Sequence, residues 1–425
     1  MRNRKYVVAA TILSVAMSSQ VVAGPADAAP VAQQDLSRAA AAEVQQSSPA
    51  KKPRRYRPAP GVTFNKPGQQ AVNDKLLRAI RHSQRGSKIR AMTWNFNSWV
   101  FVRALRSAHN RGVSVRILMA RTLADAQRPH GPYNSLRRHL RKQDRRPEMR
   151  SWFHTCANSC RGAGGSMHAK MYLFSKTGAQ RRVVMSSSAN MTGASATAQY
   201  NDMFTVVGSK IAYRGSIQTF NEASRDRPAP ARVYAAGTIR GWFQPRTGMR
   251  DLVTKMLDRV KCRGARGAGI NGRTSLRIAQ DVIVGRRGLK IARRIKELHK
   301  NGCNIRLVYS QLGGKVWHIL KGVPRNQLVR DSDGDGAYDV YLHMKAMAIS
   351  GHYGGRRGAR LVYQGSENWS GLAALSDEQG LVINRGRVER QYGRHINHLF
   401  GIHLRSARPL PSAKRVDDPY MNMEG

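Results

Sequence analysis

The chain has 425 residues, with 73 lysines and arginines against 25 aspartates and glutamates, for a formal net charge of +48. That length allows two ordinary domains or one large double unit. The charge predicts attraction to polyanions (nucleic acid, anionic lipid surfaces or acidic cell-wall polymers) without choosing among them, and a codon bias toward arginine also contributes to it.

Arg2, Arg4 and Lys5 make a basic start, Val7 to Ala23 is mostly apolar, and Ala26, Ala28 and Ala29 follow. This is the pattern of a secretory signal peptide over residues 1–28. No later stretch is apolar for long enough to span a bilayer, so the mature chain is expected to be secreted to the extracellular side and soluble. Residues 29–60 are rich in Ala, Gln, Ser, Pro and basic residues, among them Lys51, Lys52, Arg54 and Arg55. They are expected to form a disordered arm.

Two stretches of similar build follow. In the first, "SKIRAMTW" from Ser87 reads as a strand, and "RALRSAHNRGVSVRILMA" (Arg103 to Ala120) as a helix, a stop at Gly112 and a second strand. "HAKMYLFS" (His168 to Ser175) and "RRVVMSSSANMT" from Arg181 come next. The second stretch repeats that order with "TSLRIAQDV" from Thr274, "RRIKELHKNGCNIRLVYS" (Arg293 to Ser310), "HMKAMAIS" (His343 to Ser350) and "ARLVYQGSENWS" from Ala359. Pro-rich "RDRPAPAR" (Arg225 to Arg232) separates the copies.

Four features recurring in one order indicate internal duplication. The expected domains are therefore residues 61–226 and 233–408, with 409–425 as a tail. Strands alternating with helices predict an α/β fold with a largely parallel or mixed sheet in each half, the halves packed around one shared site. A monomer follows, because one chain already holds both halves. "WNFNSWVF" (Trp94 to Phe101) reads as a core strand running into a helix, and Trp369 as packing beneath its strand.

The four cysteines are Cys156, Cys160, Cys262 and Cys303. In an exported chain they are expected to pair as Cys156–Cys160 and Cys262–Cys303. They do not form the two Cys-x-x-Cys knuckles of a zinc site.

Each half carries a His-x-Lys followed by a strand ending in Ser-x-Asn: His168, Lys170, Ser188 and Asn190, then His343, Lys345, Ser366 and Asn368. Alternate residues of a strand share a face, so each half presents one imidazole, one ammonium, one hydroxyl and one amide to the same surface. Those groups can hold a phosphate. One histidine can attack phosphorus while the other protonates the leaving oxygen.

From about residue 65 to 405 this pattern resembles the phospholipase D superfamily, whose signature is H-x-K-x4-D followed by G-S-x-N. The resemblance implies two α/β sandwich halves and phosphodiester cleavage through a covalent phosphohistidine, with no cofactor for the chemistry. Here the signature aspartate is Ser175 in one copy and Ser350 in the other. The glycine is Ser187 in the first copy and is kept as Gly365 in the second. The similar tyrosyl-DNA phosphodiesterases also lack that aspartate. The resemblance makes His168 the nucleophile and His343 the general acid and then base, with the reverse order also open. It gives Asp202 and Glu378, in "YNDM" and "SDEQG", the task of orienting the histidines.

"DSDGDGAYD" (Asp331 to Asp339) matches the first nine positions of a calcium loop through Asp331, Asp333, Asp335 and Gly336, with Asp339 as a last carboxylate. Leu342 stands where such loops carry glutamate. A structural Ca2+ pinning the approach to His343 is the expectation, against a plain acidic turn. The expected function is release of phospholipid headgroups. An endonuclease acting on DNA or RNA and a non-catalytic polyanion-binding envelope protein are the alternatives.

Overall fold

The computed structural model describes residues 55–142, 145–245, 251–335 and 337–405. The expected signal peptide, nearly all of the arm, Gly336 and the tail 409–425 lie outside the described residues. The described residues belong to one compact unit.

In chain order the first strands are β1 (Gly61–Asn65), β2 (Lys88–Met92), β3 (Ser114–Ala120), β4 (Trp152–Cys156), β5 (Met171–Thr177), β6 (Gln180–Ser187) and β7 (Gln199–Val207). Then come β8 (Arg232–Ala236), β9 (Ile239–Phe243), β10 (Val260–Lys261), β11 (Ser275–Ile283), β12 (Asn304–Leu312), β13 (Arg325–Gln327), β14 (Val329–Arg330) and β15 (Val340–Leu342). The last are β16 (Lys345–Tyr353), β17 (Arg356–Gly365) and β18 (Gln379–Ile383). They form two nine-stranded mixed sheets. One runs β14-β15-β7-β6-β5-β2-β3-β4 with β1 on β7; the other runs β13-β12-β11-β16-β17-β18-β9-β8 with β10 on β16.

The duplication is visible in the pairings. β2 is parallel to β3 and antiparallel to β5, and β11 is parallel to β12 and antiparallel to β16. The connecting helices repeat as well. Trp99–Asn110 buries Phe101, Val102, Leu105 and Ala108, and Gly285–Lys300 buries Ile291, Ala292, Ile295 and Leu298. That spacing is one helical stripe. Gly112 and Gly302 each follow at φ +88°, a left-handed turn that suits glycine and releases the chain into the parallel strand.

One crossing departs from a linear division into halves. β14 and β15 lie in the second stretch, yet β15 pairs in parallel with β7 of the first sheet through Tyr341↔Gln199 and Leu342↔Tyr200. The chain then turns directly into His343.

The central core lies between the sheets and joins Met92, Leu118 and Phe204 to Ala279, Val308, Ala346 and Val362. The helices Lys210–Ala223 and Gly386–Phe400 are part of it through Phe220 and Tyr392. Separate apolar clusters back the outer face of each sheet. Trp369 is fully buried in the second of these.

"WNFNSWVF" runs into a helix and buries Phe96 and Phe101 in the core, as expected, but its first part is a loop and not a strand. β2 stops at Met92, Trp94 to Ser98 form a loop, and Trp99 and Val100 open the next helix exposed to solvent. Asn190 holds that loop by accepting from the amides of Trp94 and Asn95, while Trp94 O accepts from Ala120 N and Asn97 N donates to Met191 O.

Both disulfides form, Cys156–Cys160 and Cys262–Cys303. Cys262 follows the short strand β10. The helix Leu252–Asp258 has already ended, so the bridge ties β10 to the turn before β12.

Candidate active site

The two His-x-Lys segments sit where the chain enters β5 and β16, and both are buried. In each, the lysine ammonium folds back on the histidine carbonyl: Lys170 Nζ donates to His168 O and Lys345 Nζ to His343 O, both at 2.7 Å. This fixes imidazole and ammonium on one side, as the alternation requires.

Each histidine is held by the opposite half of the chain. His168 N donates to Asp377 O, and His168 Nδ1 lies 2.8 Å from Glu378 Oε1. His343 N donates to Tyr200 O, and its Nδ1 lies 3.0 Å from Asn201 Oδ1. The amide of Asn201 is oriented by its own Nδ2, which donates to Gln199 Oε1 at 3.0 Å. Its Oδ1 therefore faces His343 and also accepts from Ser188 Oγ at 2.8 Å. Both imidazoles thus carry the proton on Nδ1 and turn Nε2 into the site.

Asp202 does not orient a histidine. Ser188 N donates to Asp202 O and Ser366 N to Gln379 O, which makes Asp202 the equivalent of Gln379 and Asn201 the equivalent of Glu378. On β7, one residue of offset puts a side chain on the other face. Asp202 accordingly meets Tyr392 OH at 2.6 Å.

The Ser-x-Asn hydroxyls repeat one role: Ser188 donates to Asn201, and Ser366 to the Glu378 carboxylate. Asn190 uses its Oδ1 on the β2 loop. Its buried Nδ2 has no acceptor among the described residues. A buried donor left in that state is costly, and a phosphate oxygen would satisfy it. Asn368 is buried, and its backbone oxygen accepts from Arg287 at 3.0 Å.

The departures from the signature have local reasons. Ser175 Oγ accepts from Lys88 N at 2.8 Å, and Ser350 Oγ accepts from Gly269 N at 3.1 Å. Both lie well along their strands from the histidines and serve the backbone, a task a hydroxyl performs. Ser187 Oγ donates to Asp202 O at 2.7 Å. At Gly365 an added Cβ would collide with the equivalent carbonyl, Gln379 O.

Two residues at the site were not anticipated. β2 places Met92 opposite Met171, and β11 places Ala279 opposite Ala346. Those partners follow their histidines by the same step, so Trp94 and Asp281 are equivalents. Trp94 packs edge-on against His168 at 5.5 Å between ring centres, and Lys170 Nζ lies 5.7 Å from its ring. Asp281 Oδ2 lies 2.8 Å from Lys345 Nζ and 3.9 Å from His343 Nε2. The available signal for Asp281 was the one acidic residue of β11, in "SLRIAQDVI".

Burial, reinforced by Lys170 and Lys345, holds both imidazoles well below their ordinary values. Burial also lowers both lysines. It raises Asp281, and raises Glu378 to about 7, against the opposing pull of the lysines. An anion entering between the two ammonium groups would relieve their repulsion.

The first disulfide loop abuts the site: Cys160 N donates to Asp377 Oδ2, beside Glu378. In the acidic loop, Asp331, Asp333 and Asp335 offer oxygens within 4.8 Å of one another. Asp339 falls outside that group, and its Oδ2 accepts from Ser332 N.

This is a duplicated α/β fold with two inward-facing His-Lys pairs, each completed by the other half. Residues 76–222 match the family described as "Cardiolipin synthase, PLD-like domain". Among solved structures, a polyphosphate kinase from Porphyromonas gingivalis is 14% identical with a TM-score of 0.54; the alignment covers 80% of this chain and 50% of that one. The chain thus spans about half the length of that kinase. A phosphatidylserine synthase from Haemophilus influenzae is 13% identical with a TM-score of 0.53, covering 81% and 86%. A phospholipase D family member, Nuc from Salmonella typhimurium, is 17% identical with a TM-score of 0.32, covering 40% and 96%. No curated protein sequence matches the chain. Residues 76–222 therefore resemble a phospholipase D-like domain, and the solved structures share the fold.

Proposed function

We propose that the protein is a secreted, monomeric phosphodiesterase that releases headgroups from phospholipids through a phosphohistidine on His168. The carrying observation is the unequal support of the two imidazoles, Glu378 behind His168 and Asn201 behind His343. A phosphorylated imidazole is cationic, so the histidine backed by a carboxylate suits the nucleophile. The one backed by a neutral amide releases its proton more readily and suits the acid.

The bound phosphodiester anion offsets the two ammonium charges, so that His343 takes up a second proton, on Nε2, before the reaction. His168 Nε2 attacks phosphorus, and the P–O bond to the leaving alcohol breaks as that oxygen takes the proton from His343 Nε2. Water then attacks phosphorus, gives a proton to His343 Nε2, and the P–N bond breaks to yield a phosphomonoester and free His168. Lys170, Lys345 and Asn190 Nδ2 stabilise the non-bridging oxygens.

The lipid reading is supported by exposed apolar side chains on segments that adjoin the site. Trp99 and Val100 follow the Trp94 loop, and Leu372 and Leu375 lie between Asn368 and Glu378. Among the described residues no helix is long and apolar enough to cross a membrane, so contact with lipid would be peripheral. The +48 charge favours a second reading, cleavage of nucleic acid, because a basic surface releases counterions from a polyanion. It equally concentrates the protein at anionic membranes, at roughly 1 kcal/mol per well-placed cation.

Purified protein should be incubated in parallel with phosphatidylcholine, plasmid DNA and RNA. Headgroup release that disappears in H168A and H343A supports the proposal. Plasmid nicking that needs both histidines, with no headgroup released, assigns the nuclease reading. Activity unaffected by either substitution overturns the mechanism.

A further inference from the structure

A carboxylate repels a bound phosphate, yet Asp281 stands within the site, 1% exposed, 2.8 Å from Lys345 Nζ and 3.9 Å from the reactive nitrogen of His343. A buried carboxylate is expensive unless its oxygens are bonded. Lys345 accounts for Oδ2. The Ser310 hydroxyl lies within bonding reach of Asp281, but it also meets Leu342 O at 2.6 Å and has a single proton to give. Asp281 Oδ1 has no hydrogen-bond donor among the described residues. The first half has no such group, since the equivalent position is Trp94.

Resting on the phosphodiesterase reading, we infer that Asp281 forms a subsite for the departing alcohol. The ligands it selects are alcohols with a hydrogen-bond donor, an ammonium or a second hydroxyl, on the carbon next to the reacting oxygen. Displacement at phosphorus places the leaving oxygen roughly in line with the attacking atom. With His168 attacking, that oxygen lies at His343 Nε2, and the adjoining carbon comes beside Asp281. His343 supplies the proton the leaving oxygen needs, so Asp281 only accepts a hydrogen bond and takes no proton. The part of the substrate retained on phosphorus meets Trp94, an aromatic surface suited to apolar contact.

A site built to bond a donor discriminates strongly against an analogue without one, because the buried acceptor is then left unfilled. The test uses three diesters with the same phosphatidyl half and different leaving groups: ethanolamine, glycerol and p-nitrophenol. In D281N, the loss of kcat/KM on the ethanolamine and glycerol diesters should exceed the loss on the nitrophenyl diester by at least tenfold. Equal losses on all three overturn the subsite and leave the phosphodiesterase reading intact. Absence of His168-dependent cleavage of any diester by the wild-type protein overturns both. Should D281N fail to fold, the wild-type protein decides the matter through inhibition by free alcohols. Ethanolamine and glycerol should inhibit nitrophenyl hydrolysis at concentrations at least tenfold below 1-propanol, and equal inhibition overturns the inference. Relative potency of the first two distinguishes an ammonium from a hydroxyl partner.

Discussion

Glu378 Oε1 lies 2.8 Å from His168 Nδ1, although 210 residues of chain separate them. The corresponding acceptor on His343 Nδ1 is the amide oxygen of Asn201. E378Q should lower kcat by about 10²–10³-fold, the usual scale for removing a group that supports a charged imidazole. N201D should slow turnover through a different step, since a carboxylate behind His343 makes it a weaker acid. The check is burst kinetics with a chromogenic diester. E378Q should slow the burst, and N201D should slow poor leaving groups more than good ones, steepening the dependence of rate on leaving-group pKa.

Acidity should govern activity and stability in opposite directions. Burial raises Glu378 and Asp377 to about 7, and Asp202 to about 6. In the unfolded chain these groups ionise near 4, so between about pH 4 and 7 the folded state holds more protons than the unfolded state. Their contribution to stability therefore falls as pH rises through that window. Activity that needs ionised Glu378 rises through about 7 instead. Thermal melts of D202N should fall less steeply with pH than wild type, and E378Q should lack the rise in kcat/KM near 7.

The two disulfides should separate by phenotype. Cys262–Cys303 closes a sequence separation of 41 residues, and C262S/C303S should cost about 4 kcal/mol in the chain-entropy model. Cys156–Cys160 spans only 4 and should cost about 2 kcal/mol. The shorter bridge braces the loop whose Cys160 amide bonds Asp377, next to Glu378. C156S/C160S should therefore reduce kcat more than its effect on stability suggests. Denaturant melts and initial rates on the two double variants decide this.

We propose a structural Ca2+ on Asp331, Asp333 and Asp335, whose oxygens lie within 4.8 Å of one another. Calcium should raise Tm, EDTA should reverse the rise, and D333N should abolish it. No response to either reagent would identify the loop as an acidic turn.

Much of this molecule can be read from its sequence because duplication writes each signal twice. Helix, glycine and strand recur around Gly112 and Gly302. The His-x-Lys and Ser-x-Asn pairs recur with them, and periodicity suffices to put His168 with Lys170 and His343 with Lys345 on one side. The cysteine pairs were also legible, since Cys156 and Cys160 bracket one short loop and leave Cys262 and Cys303 as the remaining pair. What periodicity lacks is register. Whether Asn201 or Asp202 faces His343 depends on how β7 lies against β6, and a shift of one residue exchanges them. Asp281 and Trp94 belong to no motif; pairing of β11 with β16 and of β2 with β5 carries them to the histidines. The placement of β15 in the first sheet is likewise a tertiary choice, because a short apolar strand pairs with whichever edge is open. Motif and spacing name the chemical groups each half brings to the site. The tertiary structure decided which of them meet, and made two similar halves unequal: a carboxylate behind one imidazole, an amide behind the other, and Trp94 facing one where Asp281 faces the other.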